Sequence, residues 1–289
     1  AQTIAVSVRP SRDCRAFRSF RCAHYVFLAS RGGLFASKKV FALAFVSISN
    51  SKKMTQLKRR LSGKIRYAQR RFQDFASGIT LSKQCVPPRW PVRHVLRQEI
   101  RRTESFEAKH HNIYKGAACI NGLVIAPGEV FSFWHLVGRP SQQRGFLPSR
   151  SLVEGQPVLD DGGGLCQLAG ILYHLALCCN IEVIERHAHS RDLYTEAERF
   201  TPLGADAAVA FGHKDLRLRN RYPAPLQLLV EVGKEQLIAS FCYALDWTPV
   251  VVSFIRLPDE HQRRIVQTYI QEDKEATPQQ TATSVYWFN

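Results

Sequence analysis

"DDGGGLCQLAGILYHLALCC", residues 160–179, carries the turn-to-helix transition around which the rest of the chain is arranged. Leu165, Leu168, Leu172, Leu175 and Cys179 recur at helical spacing, so the segment buries a stripe. Cys166 is off that stripe and falls in the first turn. There, unpaired amide N–H groups and the positive end of the helix dipole bias a thiol toward thiolate. Three glycines stand just before it. Gly162, Gly163 and Gly164 can adopt φ values closed to other residues and put no Cβ in the path of an incoming substrate. Amides of the turn, from Gly164 to Gln167, are candidate oxyanion donors.

The following stretch, "IEVIERHAHS", has the period and β-branched content of a strand. A helix from Cys166 to Cys179 rises about 20 Å. A strand running back from Ile181 covers a similar distance, about 20 Å, by His187. Alternation puts Glu185, His187 and His189 on one face, with Arg186 and Ser190 on the other. A thiol within reach of an imidazole is the minimal cysteine–histidine nucleophile pair. Either ring could be the base, and reach alone favours His187. Taken singly, the cysteine reads as a small core residue, the glycines as a loop and the histidines as structural groups. Their matched reach puts the nucleophile reading ahead. A zinc site of Cys166, His187 and His189 with one open position ranks lower, because only Asp192 and Glu185 offer carboxylates to orient the ligating rings. No metal or other cofactor is expected.

Around this helix the chain reads as strands. "NGLVIAPGEVFSFWHLVG" gives strand, Pro-Gly turn, strand, with alternation continuing through His135. Residues 150–159 are extended, and "DAAVAFG" and "DLRLRN" read as two more strands. "LQLLVEVGKEQLIASFCYAL" is a hairpin turning at Gly233–Glu235. One helix among several strands predicts an α+β fold: a mainly antiparallel sheet packed on a central helix that carries Cys166 at its N-terminus. "CVPPRWPVRH" breaks any helix, placing a boundary near 84–95, with a short helix expected over about 94–118. The expected organisation is a non-native or disordered extension over 1–53, a basic helical segment over 54–93, the main domain over 94–255 and a polar tail over 256–289.

The net charge of +16 is unevenly spread: residues 1–103 hold 23 Lys or Arg against 3 Asp or Glu. The remainder is mildly acidic. Leu57, Leu61, Ile65, Tyr67, Phe72 and Phe75 interleave with the basic residues of 55–78, as in an amphipathic helix that lies on an anionic surface or packs on the body. Residues 55–102 are the expected contact with such a surface. No nucleic-acid motif accompanies the charge, so no specific nucleic-acid partner is expected. Met54 is the only methionine, and the chain before it lacks helix or strand punctuation, which suggests a natural start at Met54. The apolar run Val40–Ile48 is too short to span a bilayer and lies far from the N-terminus for a signal segment. The expected location is cytoplasmic or peripheral to a membrane. The eight cysteines form no CxxC pair, which argues against a disulfide scaffold or a structural zinc site.

"GLVIAPGEVFSFWHLVGRP", "GGGLCQLAGILYHLAL", "IEVIERHAHS" and "DAAVAFGHKDLRLRN" occur in the order seen in the VanW family of bacterial proteins, and the chain resembles that family over roughly 110–245. The resemblance implies a link to peptidoglycan metabolism or glycopeptide resistance. It further implies an L,D-transpeptidase or related acyltransferase working through an acyl-cysteine on a stem peptide or its precursor. Carried over by motif, Cys166 is the nucleophile and His187 and His189 the proton carriers. Gly163, Gly164, Gln167, Arg186 and Ser190 contact the oxyanion or substrate, with Arg186 a candidate for a stem carboxylate. Asp206 and Asp215 match family positions to which no role is attached. "LAG" follows Cys166–Gln167 where many relatives carry a hydroxyl residue, a departure that bears on catalysis. The rival reading is a non-catalytic precursor-binding module with a basic surface-binding arm.

Overall fold

A computed structural model describes residues 52–288 except 103, 154–155, 193–194, 196–198 and 274. The expectations for residues 1–51 lie outside the described residues. Residues 57–289 form one unit.

The chain enters through a long helix, α1 (Lys52–Ala76), then β1 (Gln84–Cys85) and β2 (Val92–Glu99). Helix α2 (Phe106–Ala118) leads to β3 (Leu123–Ile125), β4 (Val130–Ser132) and the short α3 (Phe133–Val137). The hairpin β5 (Pro148–Val153)–β6 (Gln156–Asp161) precedes the central helix α4 (Leu165–Cys178). Then come β7 (Glu182–Glu185), β8 (Arg217–Arg219), β9 (Leu226–Val232) and β10 (Gln236–Tyr243). Three strands close the chain: β11 (Val251–Arg256), β12 (Arg263–Gln271) and β13 (Gln279–Trp287).

The fold is α+β with antiparallel sheets. The largest has the order β1-β3-β9-β10-β2, and β4-β8-β7 and β11-β12-β13 are three-stranded. The β9–β10 hairpin turns at Gly233, as its sequence indicates. Helix α4 is wrapped on nearly every side: of its fourteen residues only Cys166, His174 and Cys178 are not buried. A helix apolar all round belongs in a core, and α4 packs on α2, β2, β7, β10 and β11. All five residues of its expected stripe are buried.

Several local expectations are corrected. Residues 92–99 are strand rather than the start of a helix, because they complete the sheet edge on β10 along their full length. For the same reason no domain boundary falls near 84–95: β1 and β2 belong to the sheet of the main domain. The alternation through His135 does not continue as strand. Ser132 caps a helix there, its Oγ accepting from the His135 amide (3.2 Å), while buried Asp215 accepts from the Trp134 amide (3.1 Å). "DAAVAFG" forms no strand beyond a bridge from Ala210 to Lys214. The polar tail is instead the antiparallel sheet β11–β13, with Val266, Thr268, Ile270, Ser284 and Tyr286 buried on it.

Two partly buried histidines give the fold a pH dependence. Burial, with Arg71 and Lys83 nearby, lowers His135 to about 4; burial, with the charge of His94, lowers His174 to about 4. Both rings titrate near 6.5 in the unfolded chain. The unfolded state therefore binds protons first as the pH falls, and stability is full above about 6.5 and declines toward about 4. Asp215 acts oppositely, raised to about 6 by burial and by the charge of Glu185. One carboxyl does not offset two rings, so urea midpoints are expected to rise from pH 4 to 6.5. His174→Phe should flatten the rise, and an unchanged slope in that variant would contradict the assignment.

Candidate functional site

Cys166 occupies the first turn of α4 and is half-buried as a residue. Gly164 caps the helix in the left-handed region at φ 99°. An added Cβ there would lie 2.8 Å from Lys109 Cγ and 3.1 Å from the Lys109 carbonyl oxygen. The glycine is thus required by its backbone angle and by the close approach of α2, not by room for a substrate. The Gly163 carbonyl accepts from Asn112 Nδ2 (3.2 Å), tying the turn to α2 a second time.

The strand expected to carry the histidines ends early. β7 pairs with β8 only to Glu185, and its register shifts between Val183 and Glu185. Beyond Glu185 no ladder fixes the facing of the side chains, although Glu185 and His187 do meet on one side as expected. His189 is the histidine that acts on the Cys166 thiol, its ring drawing the thiol's pKa down. His187, favoured by reach, instead places Nε2 2.9 Å from Glu185 Oε1. That carboxylate is held in turn by Arg70 (2.5 Å) and the Asp215 amide (3.0 Å).

Behind His189 stands Asp206. Its Oδ2 lies 2.6 Å from His189 Nδ1 and accepts from the His189 amide (2.8 Å), which leaves Nε2 for the thiol. Asp206 Oδ1 accepts from the Tyr286 hydroxyl (2.5 Å) and from Arg186 (2.8 Å). Arg186 also donates to the carbonyls of Asp206 (2.7 Å) and Gly204 (3.1 Å) and to Ser284 Oγ (2.6 Å), and it lies over the Tyr173 ring. Every arm of the guanidinium is turned inward, which corrects its expected role as a carboxylate-binding group at the cleft. It fixes Asp206 instead.

The charges follow this geometry. Burial alone would raise the Cys166 thiol. Its hydrogen bond to His189, the charge of that ring and the Val209 amide (3.5 Å from Sγ) bring it below the ordinary thiol range. Burial likewise disfavours the charged imidazole, but Asp206 and the thiolate hold His189 well above the usual histidine range. Asp206 is held well below the carboxylate range, as His189 and Arg186 outweigh burial. Cys178 and Cys242 are each raised by burial to about 11. A cysteine whose pKa is drawn down beside a charged imidazole with a carboxylate behind it has the chemistry to serve as a nucleophile.

The remaining expected residues sit elsewhere. Gln167 is buried, with its side chain donating to the Glu99 carbonyl (2.8 Å). The amides of Leu165 and Gln167 are spent on the Gly162 and Gly164 carbonyls, so they are not the oxyanion donors expected of them. Ser190 is exposed, and its carbonyl accepts from Trp287 of β13. Among the described residues no cluster of three His, Cys, Asp or Glu side chains is placed to hold a metal, against the zinc alternative. No described helix is long and apolar enough to cross a membrane. The residues that sequence reasoning missed are Tyr286, Ser284 and Val209; Asp206 was visible without a role.

Residues 108–242 match the family model described as VanW like protein. Over these residues the chain is a VanW-like domain. Cys166, His189 and Asp206 all lie inside the matched stretch, whereas α1, Ser284 and Tyr286 lie outside it. The chain is 31% identical over 132 residues to "Vancomycin B-type resistance protein VanW" of Enterococcus faecalis (strain ATCC 700802 / V583), covering 46% of this chain and 48% of that protein. It is 30% identical over 122 residues to "Uncharacterized protein YoaR" of Bacillus subtilis (strain 168), covering 42% of this chain and 39% of that protein. The chain thus spans less than half the length of either relative. No solved structure matches.

Tyr286 reaches the VanW domain site from the last strand. Tyr286→Phe removes one of the donors on Asp206 and the acceptor of the Gly204 amide (3.0 Å). The variant is expected to slow Cys166 alkylation at pH 6 by roughly 3- to 10-fold, the loss of about one ordinary hydrogen bond. A rate equal to wild type would show that the third sheet does not tune the site.

Proposed function

We propose that the VanW domain is a cysteine acyltransferase of the L,D-transpeptidase type acting on peptidoglycan stem peptides or their precursors. The observation that carries this is the alignment of Cys166, His189 and Asp206, with the thiol set below its ordinary pKa. A relative named for vancomycin resistance supports cell-wall peptides as the substrate class.

The Cys166 thiolate attacks the carbonyl carbon of a stem-peptide amide, forming the C–S bond. The positive end of α4 faces the oxyanion as it develops. Protonated His189 gives its proton to the departing amine as the C–N bond breaks, leaving a thioester. Neutral His189 then takes a proton from the amine of a second stem, or from water. That nucleophile forms the new bond to carbon and expels the thiolate. Asp206 stays ionised throughout and keeps Nδ1 protonated.

Intact-mass measurement after exposure to muropeptides, and separately to a carbapenem, tests the reading. An acyl adduct on wild type that is absent from Cys166→Ala is expected. Equal adducts on both proteins would overturn it, and muropeptide binding without any adduct would favour a non-catalytic binding module.

A further inference from the structure

Helix α1 has two opposite faces, and the structure uses the less apolar one for packing. Gly63, Tyr67, Arg70 and Asp74, spaced 4-3-4, face the body. A Cβ at Gly212 would lie 2.1 Å from the Gly63 carbonyl oxygen, so backbone meets backbone there. The Tyr67 ring packs on Phe211 with centroids 5.0 Å apart. Arg70 pairs with Glu185, and Asp74 with Arg217 at 2.7 Å. These four contacts fix the rotation of the helix about its axis.

The opposite face is left in solvent. Leu61 is 60% exposed, Ile65 51%, Phe72 72% and Phe75 84%. With exposed Ala68 they form one stripe, spaced 4-3-4-3. Large apolar groups aligned on a fixed helix are not scattered surface residues. Helical periodicity sets Lys64 and Arg71 along one flank of the stripe, while the only acidic residue of 61–76, Asp74, is buried on Arg217 at 2.7 Å and reaches Arg71 only at 3.8 Å. A second copy of α1 laid on the stripe would bring these cations against their own kind. An anionic layer with an apolar interior satisfies both the stripe and its flanks.

We propose that the outer face of α1 docks on the surface of a bilayer containing anionic lipid, with Phe72, Phe75, Leu61 and Ile65 below the headgroups and Lys64 and Arg71 among them. The helix lies in the plane of the surface and holds the Cys166 domain against it. This is independent of the chemistry at Cys166.

Co-sedimentation of the full chain with vesicles of phosphatidylcholine alone, and of phosphatidylcholine with phosphatidylglycerol, tests the proposal. Binding is expected only to the anionic vesicles and is expected to weaken with salt. Phe72→Ser/Phe75→Ser should weaken it at least about tenfold, with Cys166 alkylation reporting that the variant is folded. Lys64→Glu leaves the stripe intact and should weaken binding about fivefold, which keeps the test open should the double variant not fold. No binding to anionic vesicles, or binding unchanged in Lys64→Glu and in the folded double variant, overturns the proposal. So does a solution dimer by light scattering that the double variant converts to monomer, since that assigns the face to a second copy.

Discussion

Alkylation of Cys166 by iodoacetamide is expected to be faster at pH 6 than that of an ordinary thiol, which with a pKa near 8.5 is almost wholly protonated there. His189→Ala should slow it by about 10²-fold at that pH, because the thiol loses both its hydrogen bond and its counter-charge. Asp206→Asn should give a loss of the same order, since the ring then lacks the carboxylate that keeps it protonated and oriented. The lost rate should return as the pH rises toward 9 in both variants. His187→Ala is expected to leave rate and profile nearly unchanged, its partner being Glu185. A loss with His187→Ala and none with His189→Ala would reverse the assignment of the base. Profiles that coincide for all four proteins would remove the thiolate–imidazolium pair from the account.

Asp74→Ala is expected to destabilise the protein by about 3–5 kcal/mol, because it strands the buried guanidinium of Arg217. The Nε of that guanidinium already has no partner, so Asp74 is its main compensation. Arg217→Met in the same background should recover much of the loss, since two apolar side chains need no pairing. Urea unfolding of the two single variants and the double variant measures the coupling. A loss below about 1 kcal/mol for Asp74→Ala would mean that the pair is hydrated and the docking of α1 rests on Tyr67 and Gly63. The outer-face proposal needs a firmly fixed α1, so this measurement bears on it as well.

The α+β class, the buried stripe of α4, the β9–β10 hairpin and the position of Cys166 in a first turn were all legible in residue order. Each depends on local information: apolar period, turn residues, and glycine at a left-handed cap. The VanW family was legible from four motifs in sequence order. The choice of histidine was not. It turned on a register shift three residues into β7, and a strand's alternation says nothing once the ladder is broken. The direction of Arg186 was equally hidden, since its partners Ser284 and Tyr286 lie about a hundred residues away on a sheet that reads as a polar tail. The face of α1 that meets the body could not be found by hydrophobicity either. Two glycines, one buried ion pair and one part-buried ion pair hold the helix there, and their strength comes from close approach and removal from water, which exist only once the chain has folded.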